Sequence, residues 1–143
     1  MAQRLLIVGA GMAAAYLLQE LSRLQHRFHI TVVGDERDAC YNRVLLSGVL
    51  AGDSNEGDLP LLTQSGAGHA VRFITGTRIV SINTQCRTAL TNNGDSLPYD
   101  TLVFATGAAV ARPEKNAAPM EGERELSKLD EDRNQRKLEP TGR

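Results

Sequence analysis

The stretch Leu5-Leu6-Ile7-Val8-Gly9-Ala10-Gly11-Met12-Ala13-Ala14 decides the fold. Four apolar residues in a row suit a buried strand, two glycines suit a sharp turn, and the small residues that follow suit the start of a helix. That order aims backbone N–H groups and a helix N-terminus at one point, where a pyrophosphate is stabilised. The small residues contribute in different ways. Gly9 permits the tight turn, Gly11 lets the backbone approach phosphate, and Ala14 lets the helix pack on the strand. Met12 and Ala13 supply the first-turn amides, so the run predicts a dinucleotide-binding site.

Outward from this turn, Arg4 to Val8 reads as a strand and Met12 to about Leu24 as a helix, with Ala13, Leu17, Leu18, Leu21 and Leu24 at helical spacing. Phe28 to Val33 is rich in β-branched residues and reads as a second strand, completing a right-handed βαβ unit. At its end stand Asp35 and Glu36, a little over 20 residues beyond the turn. An acid there accepts hydrogen bonds from an adenosine ribose; Glu36 is the first candidate and Asp35 the reserve. No arginine replaces the acid, which argues against a ribose 2′-phosphate.

Tyr41 to Leu50 reads as a short helix, and Ala51 to Gly68 as a surface loop. Val71 to Thr75, Ile79 to Asn83 and Arg87 to Thr91 read as strands, with Asn92-Asn93-Gly94 as a turn. The run Thr101 to Ala105 predicts a central strand buried on both faces. The fold class is α/β, Rossmann-like, with a parallel sheet and a small antiparallel β insertion around residues 79–91. Residues 1–112 are assigned to this domain. Residues 113–143 hold 15 charged residues in 31 and too few apolar ones to offset ordering entropy, so they are expected to be disordered.

The totals exclude several function classes. A net charge of -1 gives no field to attract nucleic acid or an anionic membrane. No apolar run reaches the roughly 18 residues of a membrane span, and no signal peptide is visible, so a cytoplasmic location is expected. Cys40 and Cys86 stand far apart and predict two reduced thiols; the three histidines lack zinc-ligand spacing, so no metal site is expected.

The segment Tyr41-Asn42-Arg43-Val44-Leu45-Leu46-Ser47-Gly48-Val49-Leu50-Ala51-Gly52, taken with Thr31-Val32-Val33-Gly34-Asp35-Glu36 and the opening turn, carries a resemblance. The chain resembles the N-terminal, FAD-binding part of the FAD-dependent pyridine-nucleotide oxidoreductases. Within them it is most similar to the large subunit of NAD(P)H-dependent nitrite reductases and their assimilatory electron-transfer relatives. The resemblance implies that Gly9, Gly11 and Ala14 hold the FAD pyrophosphate and Glu36 the ribose. It implies that Arg43 and Ser47 approach the pyrophosphate and the flavin side, and that the backbone of Ile79 faces adenine. Ala105-Thr106-Gly107, ending an apolar strand, resembles the second family signature, which passes close to FAD.

The resemblance covers about residues 4–110. The second glycine fingerprint, for NAD(P)H, is missing, as are the cysteines for an iron–sulfur cluster and siroheme. The tail is read as a truncation, a frameshifted end or an unrelated extension. No CxxxxC follows the first helix, which excludes a redox-active disulfide of the glutathione reductase type. All three lysines (Lys115, Lys128 and Lys137) follow Arg112, so the lysine that several ferredoxin-reductase-like proteins place beside the flavin has no counterpart in the first 112 residues.

The expected function is electron transfer from NAD(P)H through FAD to an acceptor, with this chain alone incomplete for turnover and no catalytic side chain nominated. The expected partners are the small-molecule cofactor and a redox acceptor or missing C-terminal domains, together with self-association through uncovered apolar strands. The alternatives are a non-catalytic dinucleotide-binding module and an inactive fragment.

Overall fold

A computed structural model describes residues 2–59 and 71–108. Four parallel strands form the central sheet: β1 (Gln3–Val8), β2 (Phe28–Val33), β3 (Val71–Ile74) and β7 (Thr101–Phe104), in the order β3-β2-β1-β7. The helix α1 (Met12–Arg23) crosses from β1 to β2. The strands β4 (Ile79–Asn83), β5 (Thr88–Thr91) and β6 (Ser96–Pro98) form a separate antiparallel sheet in sequence order.

Alternation along β1 shows why the molecule has three layers. Leu5 and Ile7 point to one face, where Ala14, Ala15 and Leu18 of α1 meet them together with Ile30 and Val32 of β2. Leu6 and Val8 point to the other face and pack with Val33, Ala89 and Tyr99 under the antiparallel sheet. Both faces of β1 are buried, which is why its sequence is a continuous apolar run. Ala14 and Ala15 are fully buried, so α1 lies close to the sheet. The register runs from Gln3 opposite Phe28 to Val8 opposite Val33, which brings the carboxyl ends of β1 and β2 level. β7 joins the other side of β1, with Val8 opposite Phe104. The chain thus leaves β1 for β2 on one side and returns as β7 on the other, and an open α/β sheet presents its crevice at such a reversal.

Several sequence expectations need correction. β7 is not a central strand: among the described residues it pairs with β1 alone, and Phe104 is 65% exposed. Leu102 and Val103 still pack on opposite faces of the sheet, so the apolar run is explained without a further neighbouring strand. The insertion has a third strand, β6, whose three residues end in a proline; an edge position tolerates the missing N–H. The segment read as one helix divides into a 3-10 turn, Arg43–Leu45, and a short α2, Leu46–Ala51. Asn42 caps that turn by accepting from the Val44 N–H, and Gly52, at φ 84°, ends α2 in the left-handed conformation. The supposed surface loop after Ala51 includes a 3-10 turn, Glu56–Asp58, and then buries Leu59 with Tyr41, Leu46 and Val49 in a small core of their own. The rest of that loop and the whole 113–143 tail lie outside the described residues.

One ion pair fastens the far end of the sheet. Arg4 grips Asp100 through a 2.7 Å contact from Nη2 and a 2.8 Å bond from its backbone N–H. These bonds hold the Asp100 carboxyl well below the usual carboxylate range. Both cysteines are free. Cys40 is buried in the core beneath α1, and burial pushes its thiol up to about 11.

Candidate functional site

The carboxyl ends of β1, β2 and β7 open into a cleft of ≈ 290 Å³. The first glycine turn forms its floor with Gly9, Gly11, Met12 and Ala13. Asp35, Glu36 and Arg43 line the β2 side, and Ala105, Thr106 and Gly107 line the β7 side. Ten of the thirteen residues expected from sequence therefore meet in one place. The other three lie elsewhere. Ala14 is buried under α1 against the sheet, Ser47 is exposed on α2, and Ile79 packs its side chain into the core beneath the antiparallel sheet.

The two glycines of the turn work differently. Gly9 has φ 108°, and a Cβ on it would lie 2.2 Å from the carbonyl oxygen of Ala105. It is the point where β1 and β7 press backbone to backbone. Gly11 has an extended backbone, φ -96°, and a Cβ there would meet nothing within 4 Å. The space beside it belongs to the cleft.

Backbone bonds hold the turn in shape. The Gly9 N–H donates to Val33 O at 2.7 Å, and the Cys40 N–H donates to Ala10 O at 2.6 Å. A trans peptide holds its C=O and N–H on opposite sides, so the second bond turns the Gly11 N–H away from Cys40. Cys40 adopts φ 56°, uncommon for a residue with a Cβ, in making this contact. No side chain caps the N-terminus of α1, and its first turn carries no acid. Its leading amides are therefore without a side-chain acceptor at the N-cap, where the helix carries its partial positive charge.

Each acid in the cleft has an arginine. The Arg78 Nη2 donates to Asp35 Oδ2 at 2.8 Å on the exposed rim. Glu36 is almost wholly buried and accepts from Arg43 Nη2 on Oε1 and from the Tyr41 hydroxyl on Oε2. The Gly76 N–H fixes the backbone carbonyl of Glu36 at 2.8 Å. With both carboxylates matched by arginines, the side chains of the cleft carry no net negative charge, and the helix N-terminus adds a partial positive one.

Gly34, Tyr41 and Arg78 are among the contributors that sequence reasoning missed. Gly34 lines the cleft, and a Cβ on it would lie 2.6 Å from that of Ala10; its position at the end of an apolar strand was the available signal. Tyr41 and Arg78 act through contacts to Glu36 and Asp35 that no local pattern encodes. Among the described residues no cluster of side chains could hold a metal ion, and no helix is long and apolar enough to cross a membrane.

A glycine turn open to a cleft at the reversal of strand order, with a buried acid at the end of β2, matches a known design. Residues 3–141 match the pyridine nucleotide-disulphide oxidoreductases. The chain belongs to this family. It is a family of FAD-binding oxidoreductases with NAD(P)H-dependent members.

Relatives include the assimilatory nitrate reductase electron transfer subunit of Bacillus subtilis (strain 168), 35% identical over 109 residues, which are 75% of this chain and 14% of that protein. The nitrite reductase [NAD(P)H] of the same organism is 34% identical over 108 residues, 74% of this chain and 13% of that protein. Among solved structures, the ferredoxin reductase for the CYP199A2 system from Rhodopseudomonas palustris aligns with a TM-score of 0.75 at 26% identity, over 94% of this chain and 34% of that one. NADH:rubredoxin oxidoreductase from Clostridium acetobutylicum, 20% identical, shares the fold with a TM-score of 0.76, over 94% of this chain and 35% of that one. The chain spans about one seventh of the two Bacillus relatives and about one third of these two structures.

Proposed function

We propose that this chain is the FAD-binding N-terminal portion of a flavin-dependent NAD(P)H oxidoreductase similar to the nitrite reductase large subunit, and that its cleft holds the adenosine diphosphate half of FAD. The observation that carries the reading is the open space beside Gly11, bordered by the uncapped start of α1 and by the buried Glu36. The donors suit the group: backbone amides and a helix N-terminus for a dianion, and a carboxylate for a diol.

In this reading the amides of Gly11, Met12 and Ala13 bind the pyrophosphate, and Glu36 accepts from the ribose hydroxyls. Arg43 neutralises Glu36 and borders the phosphates. The backbone of Ala105, Thr106 and Gly107, with Gly107 at φ 72°, closes the side nearest the flavin. Bound FAD would supply hydride acceptance and one- or two-electron release. The chain's own residues bind and orient it and keep the acids of the cleft matched. The electron acceptor and the nicotinamide site belong to the remainder of a longer oxidoreductase, and the proposed location is the cytoplasm.

The test is a visible spectrum of the purified chain followed by titration with FAD. Saturable binding with a perturbed flavin spectrum is expected, weakened by about 1–3 kcal/mol in Glu36→Ala. A folded chain without affinity for FAD would refute the reading. Binding without NADH oxidation in the presence of a dye acceptor is the expected result for this chain, because the nicotinamide site belongs to the remainder of the oxidoreductase.

A further inference from the structure

Tyr41 belongs to neither glycine turn nor β7, yet it reaches the most buried charge in the cleft. Its ring is 3% exposed and sits in the small core with Leu46, Val49 and Leu59, while its hydroxyl donates to Glu36 Oε2. Arg43 comes from the same segment, lies 5.6 Å over the Tyr41 ring, and donates to the other oxygen, Oε1. The segment is tied back on itself, because the Asn42 N–H donates to Leu59 O at 2.8 Å.

A carboxylate offers about four lone-pair directions across its two oxygens. Tyr41 and Arg43 occupy one on each. Each oxygen keeps one more, which is the number that a vicinal diol needs. The terminal torsion of a glutamate is broad and has no sharp rotamer of its own. The orientation of the Glu36 carboxylate is therefore set by its donors. Arg43 is a half-exposed, flexible donor, whereas the Tyr41 hydroxyl sits at the end of a ring locked in a core.

We propose that Tyr41 is a positioning residue: its hydroxyl, held by the core of residues 41–59, fixes the Glu36 carboxylate so that its remaining lone pairs meet both hydroxyls of a ribose. The inference rests on the reading that the cleft takes the adenosine half of a dinucleotide. It assigns to the segment after β2 a part in selecting a ribose diol over a deoxy sugar.

The experiment measures binding of ADP and of 2′,3′-dideoxy-ADP to the full chain by calorimetry, with FAD binding followed by flavin fluorescence. Wild type, Tyr41→Phe, Glu36→Gln and the double variant are compared, with the thermal midpoint of each recorded. Wild type is expected to prefer ADP, and Tyr41→Phe to reduce that preference about tenfold by weakening ADP alone. The double variant is expected to bind ADP no more weakly than Glu36→Gln, because both changes act through one carboxylate. Tyr41→Phe with the wild-type preference, or with an equal loss for both nucleotides, would overturn the proposal and leave the residue a packing role. A wild type that binds ADP and dideoxy-ADP equally would overturn it while leaving the pyrophosphate site standing. A folded wild type that binds neither ADP nor FAD would overturn both this proposal and the proposed function.

Discussion

Adding one methyl group at Gly9 or at Gly11 should separate stability from binding. In Gly9→Ala the new Cβ would lie 2.2 Å from Ala105 O, 2.5 Å from Ala105 C and 2.8 Å from Thr106 N, all backbone atoms of the neighbouring strand end. It would also have to accept φ 108°. Unfavourable φ costs about 1–3 kcal/mol and overpacking a similar amount, so about 2–6 kcal/mol together is expected. A domain of this size has roughly 5–15 kcal/mol in all, and the midpoint should fall by about 5–25 °C. In Gly11→Ala the backbone is already extended and the Cβ meets no protein atom, so the midpoint should stay within about 3 °C of wild type. The methyl would occupy the approach to the amides, and FAD affinity should fall about ten- to a hundredfold, the loss of charge-assisted hydrogen bonds to phosphate. Thermal unfolding followed by circular dichroism and FAD titration by fluorescence test the pair. An unaltered midpoint for Gly9→Ala would refute the backbone contact with β7. Unaltered FAD affinity in a folded Gly11→Ala would place the pyrophosphate elsewhere.

Three further outcomes are expected. Arg4 depresses the Asp100 carboxyl in the folded state, so the pair contributes stability above about pH 4, the unfolded carboxylate value, and that contribution is lost as pH falls through the folded value. Asp100→Asn should therefore be less stable than wild type at pH 7 and lose less on acidification, measured as urea midpoints from pH 7 to pH 3. Cys40 is buried with its thiol raised to about 11, and Cys86 is exposed, so one thiol should react quickly with iodoacetamide at pH 8 and the other only on unfolding; mass spectrometry of the labelled peptides decides. Leu59→Ala empties the centre of the small core around Tyr41, and a cost of about 2–4 kcal/mol in denaturant unfolding is expected, with weaker FAD binding because Glu36 loses its anchored donor.

The β1–turn–α1–β2 unit is legible almost to the residue, because Leu5 to Val8 are buried on both faces, β2 is rich in β-branched residues with Ile30, Val32 and Val33 buried, and α1 has helical spacing. The reading ran short where partners lie far apart in sequence. An apolar run such as Thr101 to Phe104 looks alike whether two strands flank it or one, since α1 and the antiparallel sheet cover its faces in either case. The stretch Ala51 to Gly68 reads as a surface loop because it holds many Gly, Asp, Ser and Asn residues, while the burial of Leu59 depends on Tyr41 and Val49 across the segment. In the candidate site, Glu36 was found from its position after β2, but its link to Tyr41 and Arg43 follows from the fold of residues 41–59 rather than from any spacing. Ser47 and Ile79 came from the resemblance, and the cleft is lined without them.

The contact between Gly9 and Ala105 sets a timetable for biosynthesis. The glycine turn leaves the ribosome before every group that secures it: its shape depends on Val33, on the backbone of Cys40, and finally on the end of β7. About a hundred residues separate Gly9 from its last neighbour, which at about 5–20 residues per second is a delay of roughly five to twenty seconds. Until then β1 has one flank unpaired, and the turn is held only by its bonds to Val33 and Cys40. On the proposed reading, a cofactor would be loaded only after the second strand signature has been translated, so the last-made part of the cleft, not its hallmark glycines, would set when the chain becomes able to bind.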